Sequence, residues 1–95
     1  MSVTLINSFE VPVRDEPQFL EQWKKTSDQA KLKDGFIEAK LHRAVKDDAR
    51  FLFVNVAVWE SEQLYHAAFN TIGIEEGKNS NVHANPALYK VVIQI

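Results

Sequence analysis

Apolar and polar positions divide this chain into strand-like and helix-like stretches. The clearest runs from Phe51 to Trp59, apolar throughout except for Asn55 in its middle. Successive strand residues point to opposite faces. Phe51, Phe53, Asn55, Ala57 and Trp59 therefore share one face, and Leu52, Val54, Val56 and Val58 the other. Neither face suits water, so the pattern predicts a central strand covered on both sides.

Val3 to Val11 also alternates as a strand, with Val3, Leu5, Asn7, Phe9 and Val11 on one face. Pro12 lacks a backbone donor and ends it. Asp15 is a good N-cap, with Glu16 and Pro17 in the first turn. A helix is predicted from there to about Lys33, with Phe19, Leu20, Trp23, Ser27 and Ala30 near one side. Gly35 is its left-handed stop. Phe36 to Val45 reads as a second strand, Ile37, Ala39 and Leu41 alternating with Glu38, Lys40 and His42. Lys46-Asp47-Asp48-Ala49 is turn chemistry. Ser61 caps a second helix carrying Leu64, Tyr65, Ala67, Ala68, Phe69 and Ile72, and Gly73 stops it. Residues 73–87 are polar and read as a loop, leaving Leu88 to Ile95 as the last strand.

The order β-α-β-β-α-β is that of a ferredoxin-like α+β fold, a four-stranded antiparallel sheet with two helices on one face. Two helices cover only one side. Fully burying a Leu or Val is worth roughly 1.5–3 kcal/mol, so the row Leu52, Val54, Val56, Val58 marks an interface. The simplest cover is a second copy about a twofold axis, which makes a homodimer in the form of a dimeric α+β barrel. The aromatic face then meets the helices, where a less regular gap can leave a pocket.

Composition narrows the function. The 95 residues predict one domain over 1–95. A net charge of −2 argues against nucleic-acid binding. Cysteine is absent, which removes disulfides, thiolate catalysis and cysteine metal sites and suits a reducing cytosol. Met1-Ser2-Val3-Thr4 does not read as a signal peptide, and no apolar run approaches the roughly 20 residues of a membrane span. The expectation is a soluble cytoplasmic protein. No two of the 3 histidines share a helix face, so a zinc site is disfavoured. No glycine-rich phosphate fingerprint occurs.

The run Phe51 to Ser61, with Leu41-His42-Arg43 before it and Pro86-Ala87-Leu88-Tyr89 after it, resembles the antibiotic biosynthesis monooxygenase family. The resemblance spans Val3 to Val92. Its most specific parts are Asn-Val-Ala-x-Trp-Glu-Ser and His-x-Asn-Pro-Ala-Leu-Tyr. It implies a dimeric α+β barrel. Some members oxidise polycyclic phenols with molecular oxygen and use no flavin, haem or metal; others degrade haem, or isomerise or remove small signalling molecules. In the cofactor-free oxygenases an Asn on the third strand, a Trp four residues on and a Tyr at the start of the next helix line the pocket. Asn55, Trp59 and Tyr65 fall on those positions and are the catalytic candidates. Those enzymes also place a basic side chain near the pocket mouth, for which this chain offers only Lys78 and His83.

An electron-rich phenol that loses its proton can pass an electron to oxygen directly. The protein must bind a flat aromatic, hold its oxygen and exclude water. Asn55 supplies an amide, Trp59 a ring and an N–H, and Tyr65 a hydroxyl whose ordinary pKa near 10 makes it a poor base. The substrate-binding candidates are Asn7, Phe9, Phe53, His66, Phe69 and His83, with Asn7 facing the same cavity as Asn55 if the first and third strands pair. Each also has a plainer reading: Asn55 bonded to a bulge or helix end, Trp59 in the core, Tyr65 as a helix-face contact, His66 in solvent. A non-catalytic dimeric ligand-binding domain is the main alternative. Haem degradation also finds an Asn on the first strand, Asn7. The tryptophan that the haem-degrading relatives carry on the second helix falls here near Ala68, and no histidine follows in that helix.

Overall fold

The computed structural model describes residues 1–71 and 81–95. Ile72, the Gly73 stop and Lys78 lie outside them. The elements are β1 (Val3–Glu10), α1 (Glu16–Ala30), β2 (Phe36–Arg43), β3 (Phe53–Trp59), α2 (Glu62–Thr71) and β4 (His83–Tyr89). The strands form one antiparallel sheet in the order β2-β3-β1-β4, so β3 is an inner strand as its apolarity required.

Register places the faces. β1 and β3 pair with Leu5 opposite Ala57, Asn7 opposite Asn55 and Phe9 opposite Phe53. These residues share the helix-covered side, which holds two packed clusters. Leu5, Ala57 and Trp59 meet Tyr65 and Ala68 of α2. Val11, Leu52 and Phe53 meet Phe19 of α1. The other side carries Ile6, Val54, Val56 and Val58, all only half-buried. No helix of the described residues is long and apolar enough to cross a membrane.

Several expectations are corrected. Leu52 does not belong to the open valine row. It precedes the regular pairing of β3, so strict alternation does not govern it; it is 1% exposed, in the cluster with Val11 and Phe19. Asp15 makes no capping bond. A short 3-10 turn, Val13–Asp15, runs straight into α1, and Asp15 Oδ2 is left buried without a partner. α1 ends at Ala30, and Leu20 stays 38% exposed. In β2 a bulge falls between Phe36 and Glu38. It puts Phe36 against Trp59 at 5.4 Å and leaves Ile37 51% exposed, because an extra residue on one strand breaks the two-residue period.

The last strand differs most. It runs His83–Tyr89, not Leu88 to Ile95. Its partner begins at Val3 and pairs Thr4 with Tyr89, so β4 is positioned by β1 rather than by its own apolar end. Pro86 is tolerated because β4 is an edge strand. There the Asn85 backbone N–H donates to Asn7 Oδ1 at 3.0 Å, and Asn85 Nδ2 donates to the Ser8 carbonyl at 3.0 Å.

At the far end of β2, Arg43 binds both carboxylate oxygens of Glu16, at 2.9 and 3.0 Å, and Asp47 at 2.8 Å. This fork ties the start of α1 to the β2–β3 turn and holds the Glu16 carboxyl below its ordinary value.

Candidate functional site

Between the sheet and the helices lies a cavity of about 50 Å³. Leu5, Asn55, Ala57 and Trp59 of the sheet form its floor, and Trp23, Thr26, Ser27 and Ala30 of α1 one wall. Phe36, Ala39 and Phe69 complete it. The opening follows from small residues meeting. Ala57 on β3 faces its cross-strand partner Ala39 on β2, and Ala30 lies opposite on α1. Larger side chains at these three places would fill the gap between Asn55 and Trp59.

Two polar atoms stand out among the residues that line it. Asn55 Oδ1 and Trp59 Nε1 are buried and have no hydrogen-bond partner among the described residues. An unpaired buried acceptor or donor costs about 1–3 kcal/mol, and native structures satisfy nearly all such groups. One is an acceptor and the other a donor. Trp59 itself is 1% exposed and packs against Phe36 and Tyr65, at 5.4 and 5.8 Å. Its indole N–H is what it has left to offer.

Tyr65 is placed by Ser61, whose Oγ accepts the Leu64 backbone N–H at 3.2 Å and caps α2. The ring is 8% exposed, against Trp59 and Phe69. Burial pushes its phenol above the ordinary 10.0. At neutral pH it is a hydroxyl donor, not a base. It stands behind Trp59 rather than on the cavity wall.

The remaining candidates separate. Asn55, Trp59 and Phe69 line the cavity; the others do not. Asn7 sits directly across from Asn55, but its oxygen is taken by Asn85. Phe9 and Phe53 belong to the second cluster, each within 5 Å of the Phe19 ring, at 4.9 and 4.8 Å. Sharing a face with Asn55 does not bring them to the cavity, because Phe19 fills the space above them. His66 is exposed on α2, 3.3 Å from Glu62. His83 is exposed at the start of β4, opposite Glu10, and not in a loop. Ala68 is core, 4% exposed. The α1 wall was missed as a site, although the helical spacing of Trp23, Ser27 and Ala30 had put those residues on one inward face.

A ferredoxin-like sheet-and-helix domain with an amide and an indole beside a small, half-open gap defines a class of protein. Residues 2–78 match the sequence profile of that class described as antibiotic biosynthesis monooxygenase, and the chain belongs to this family. Among solved structures it is similar to a candidate monooxygenase from Shewanella loihica PV-4, at 32% identity and TM-score 0.88 over 98% of this chain and 96% of that one. The fold is shared with SnoaB, a cofactor-independent oxygenase from Streptomyces nogalater, at 20% identity and TM-score 0.80 over 99% and 96% of the two chains. It is also close to that of the heme-degrading protein Rv3592 of Mycobacterium tuberculosis, at 25% identity and TM-score 0.74 over 100% and 99%. No curated protein matches the chain.

Proposed function

We propose that this chain is a cofactor-independent monooxygenase acting on an electron-rich aromatic or enolisable substrate held between the sheet and the helices. The observation that carries the reading is the pair of buried, unpartnered atoms, Asn55 Oδ1 and Trp59 Nε1, bordering one cavity in a member of this family. A phenol or enol hydroxyl donates to Asn55 Oδ1 and accepts from Trp59 N–H. The hydroxyl proton passes to solvent at the half-open mouth of the cavity, and the indole N–H then stabilises the negative oxygen. The carbanion form of the substrate then reduces oxygen. A ring CH2 and O2 become a ring C=O and H2O, the substrate supplying all the electrons. Tyr65, neutral in its buried place, supports the Trp59 ring.

About 50 Å³ is room for a hydroxyl-bearing ring edge, not for a whole ligand, whose pockets typically run to about 300–1,000 Å³. Trp23 and Phe69, both half-buried, close the helix side and must swing away to admit a polycycle. The same small volume favours the second reading, a non-catalytic domain for a small ligand. The chain works as a homodimer in either case, with Val54, Val56 and Val58 against the same row of the partner.

Oxygen uptake with a dihydroxy-aromatic substrate decides between the two. Turnover should need oxygen and fall by about two orders of magnitude or more in Trp59→Phe, which removes the N–H that holds the oxyanion. Turnover that persists without oxygen points to isomerisation. Binding without turnover, weakened by Asn55→Leu, establishes the ligand-binding domain instead.

A further inference from the structure

The floor of the cavity offers an acceptor and a donor, and the helix wall above it adds hydroxyls. Thr26 and Ser27 of α1 line that wall, with Trp23 about one turn before them and Ala30 about one turn after. Helix hydroxyls ordinarily turn back onto their own backbone, because a Ser or Thr oxygen reaches the carbonyl three or four residues earlier. Ser27 does so, donating to the Lys24 carbonyl at 3.0 Å. Thr71 of α2 does the same, donating to the Ala68 carbonyl at 3.0 Å. Thr26 is the exception on these two helices. Its hydroxyl has no hydrogen-bond partner among the described residues, and it is half-buried on the cavity wall.

A hydroxyl is donor and acceptor at once. On the wall opposite Asn55 and Trp59, it asks for a second oxygen. The dimensions say where that oxygen sits. A cavity of about 50 Å³ admits one ring edge, so both oxygens must enter on that edge, on adjacent ring carbons or in peri positions. A pair at opposite edges leaves one oxygen outside. A ring with a single oxygen satisfies the floor and seals Thr26 against an apolar edge, which strips its hydroxyl of water and puts nothing in its place.

We propose that Thr26 selects the substrate, its hydroxyl receiving a second oxygen carried on the same ring edge as the one held by Asn55 and Trp59. This rests on the cavity being the substrate site and narrows its occupant to aromatics with two neighbouring oxygens. Ser27 has committed its proton to Lys24 and can only accept. Thr26 can meet either a hydroxyl or a carbonyl oxygen, the two forms an enolisable ring interchanges.

Anaerobic calorimetry tests this, since without oxygen no probe is oxidised. The probes are naphthol, a naphthalene diol with peri hydroxyls, and a diol with its hydroxyls on opposite edges. The protein should bind the peri diol about tenfold more tightly than the other two, the scale of one net hydrogen bond. Thr26→Val keeps the side-chain shape and should bring the peri diol down to the level of naphthol, whereas Thr26→Ser should keep the preference. A preference that survives in Thr26→Val, or is missing from the unaltered protein, overturns the inference; if Asn55→Leu still weakens all three probes, the cavity stands as the substrate site. Equal loss of all three probes in Thr26→Val marks a structural role and overturns it as well. Binding indifferent to Asn55→Leu, or no binding of any probe, overturns the substrate-site reading and this inference with it.

Discussion

Replacing Gly35 by alanine should destabilise the protein far more than an ordinary surface substitution does. Gly35 has φ +90°, in the region that L-residues avoid. Its carbonyl accepts the Glu60 backbone N–H at 2.7 Å, so the turn before β2 is joined to the turn before α2. A Cβ there would lie 2.6 Å from Leu64 Cβ, 2.8 Å from its Cδ1 and 3.2 Å from its Cγ. The left-handed backbone costs about 1–2 kcal/mol for a residue with a Cβ. Overpacking against a helix side chain adds about 1–3 kcal/mol. Together these reach about 2–5 kcal/mol, a large part of the roughly 5–15 kcal/mol that holds a domain folded. Urea unfolding measures it directly, and the melting temperature should fall by at least about 10 °C. A Leu64→Ala background should recover part of the loss, because it removes Cδ1 and Cγ but keeps the 2.6 Å contact at Cβ. The same clash pushes α2 outward, so Tyr65 should loosen from Trp59 and the near-ultraviolet circular dichroism should weaken. A loss below about 0.5 kcal/mol, the scale of an ordinary surface substitution, would show that the approach of α2 is soft and refute the reasoning.

Asn55→Leu should hold or raise stability in urea, by up to about 1–3 kcal/mol, because it removes a buried acceptor that the protein leaves unpaired; a clear destabilisation would mean that Asn55 serves the fold. Glu16 titrates below its ordinary 4.5 because Arg43 binds it, so its contribution is present above that pH and lost as pH falls through the lowered value. Glu16→Gln should flatten the acid limb of the stability curve, and an unchanged limb would exclude the fork as its cause. Burial raises the Tyr65 phenol, so its contribution holds below pH 10.0 and disappears as pH rises through the raised value. Ultraviolet titration, read as the difference from Tyr65→Phe, should place its ionisation above the ordinary 10.0, and ionisation at or below that value would contradict the burial. Ala57→Val should fill the gap between Asn55 and Trp59, abolishing ligand binding in calorimetry while the far-ultraviolet spectrum stays the same.

Local pattern alone determined the element order and the inner place of β3; that Asn7 and Asn55 share a face also required β1 to pair with β3. Strand parity and helical period are properties of neighbours along the chain, whereas the register that sets Asn7 across from Asn55 is a property of the β1–β3 pair. The family resemblance came from the same stretch. What tertiary structure decided is where those neighbours stop mattering. Leu52 escaped parity because it lies ahead of the paired segment, and Ile37 because a bulge interrupts β2. β4 fell early because β1 begins at Val3, a limit written in another strand. Phe9 and Phe53 left the site because Phe19, far off in sequence, packs over them. The cavity exists because Ala30, Ala39 and Ala57 meet from three elements. A gap is made by side chains that are absent from one place in space, and no stretch of sequence contains that place.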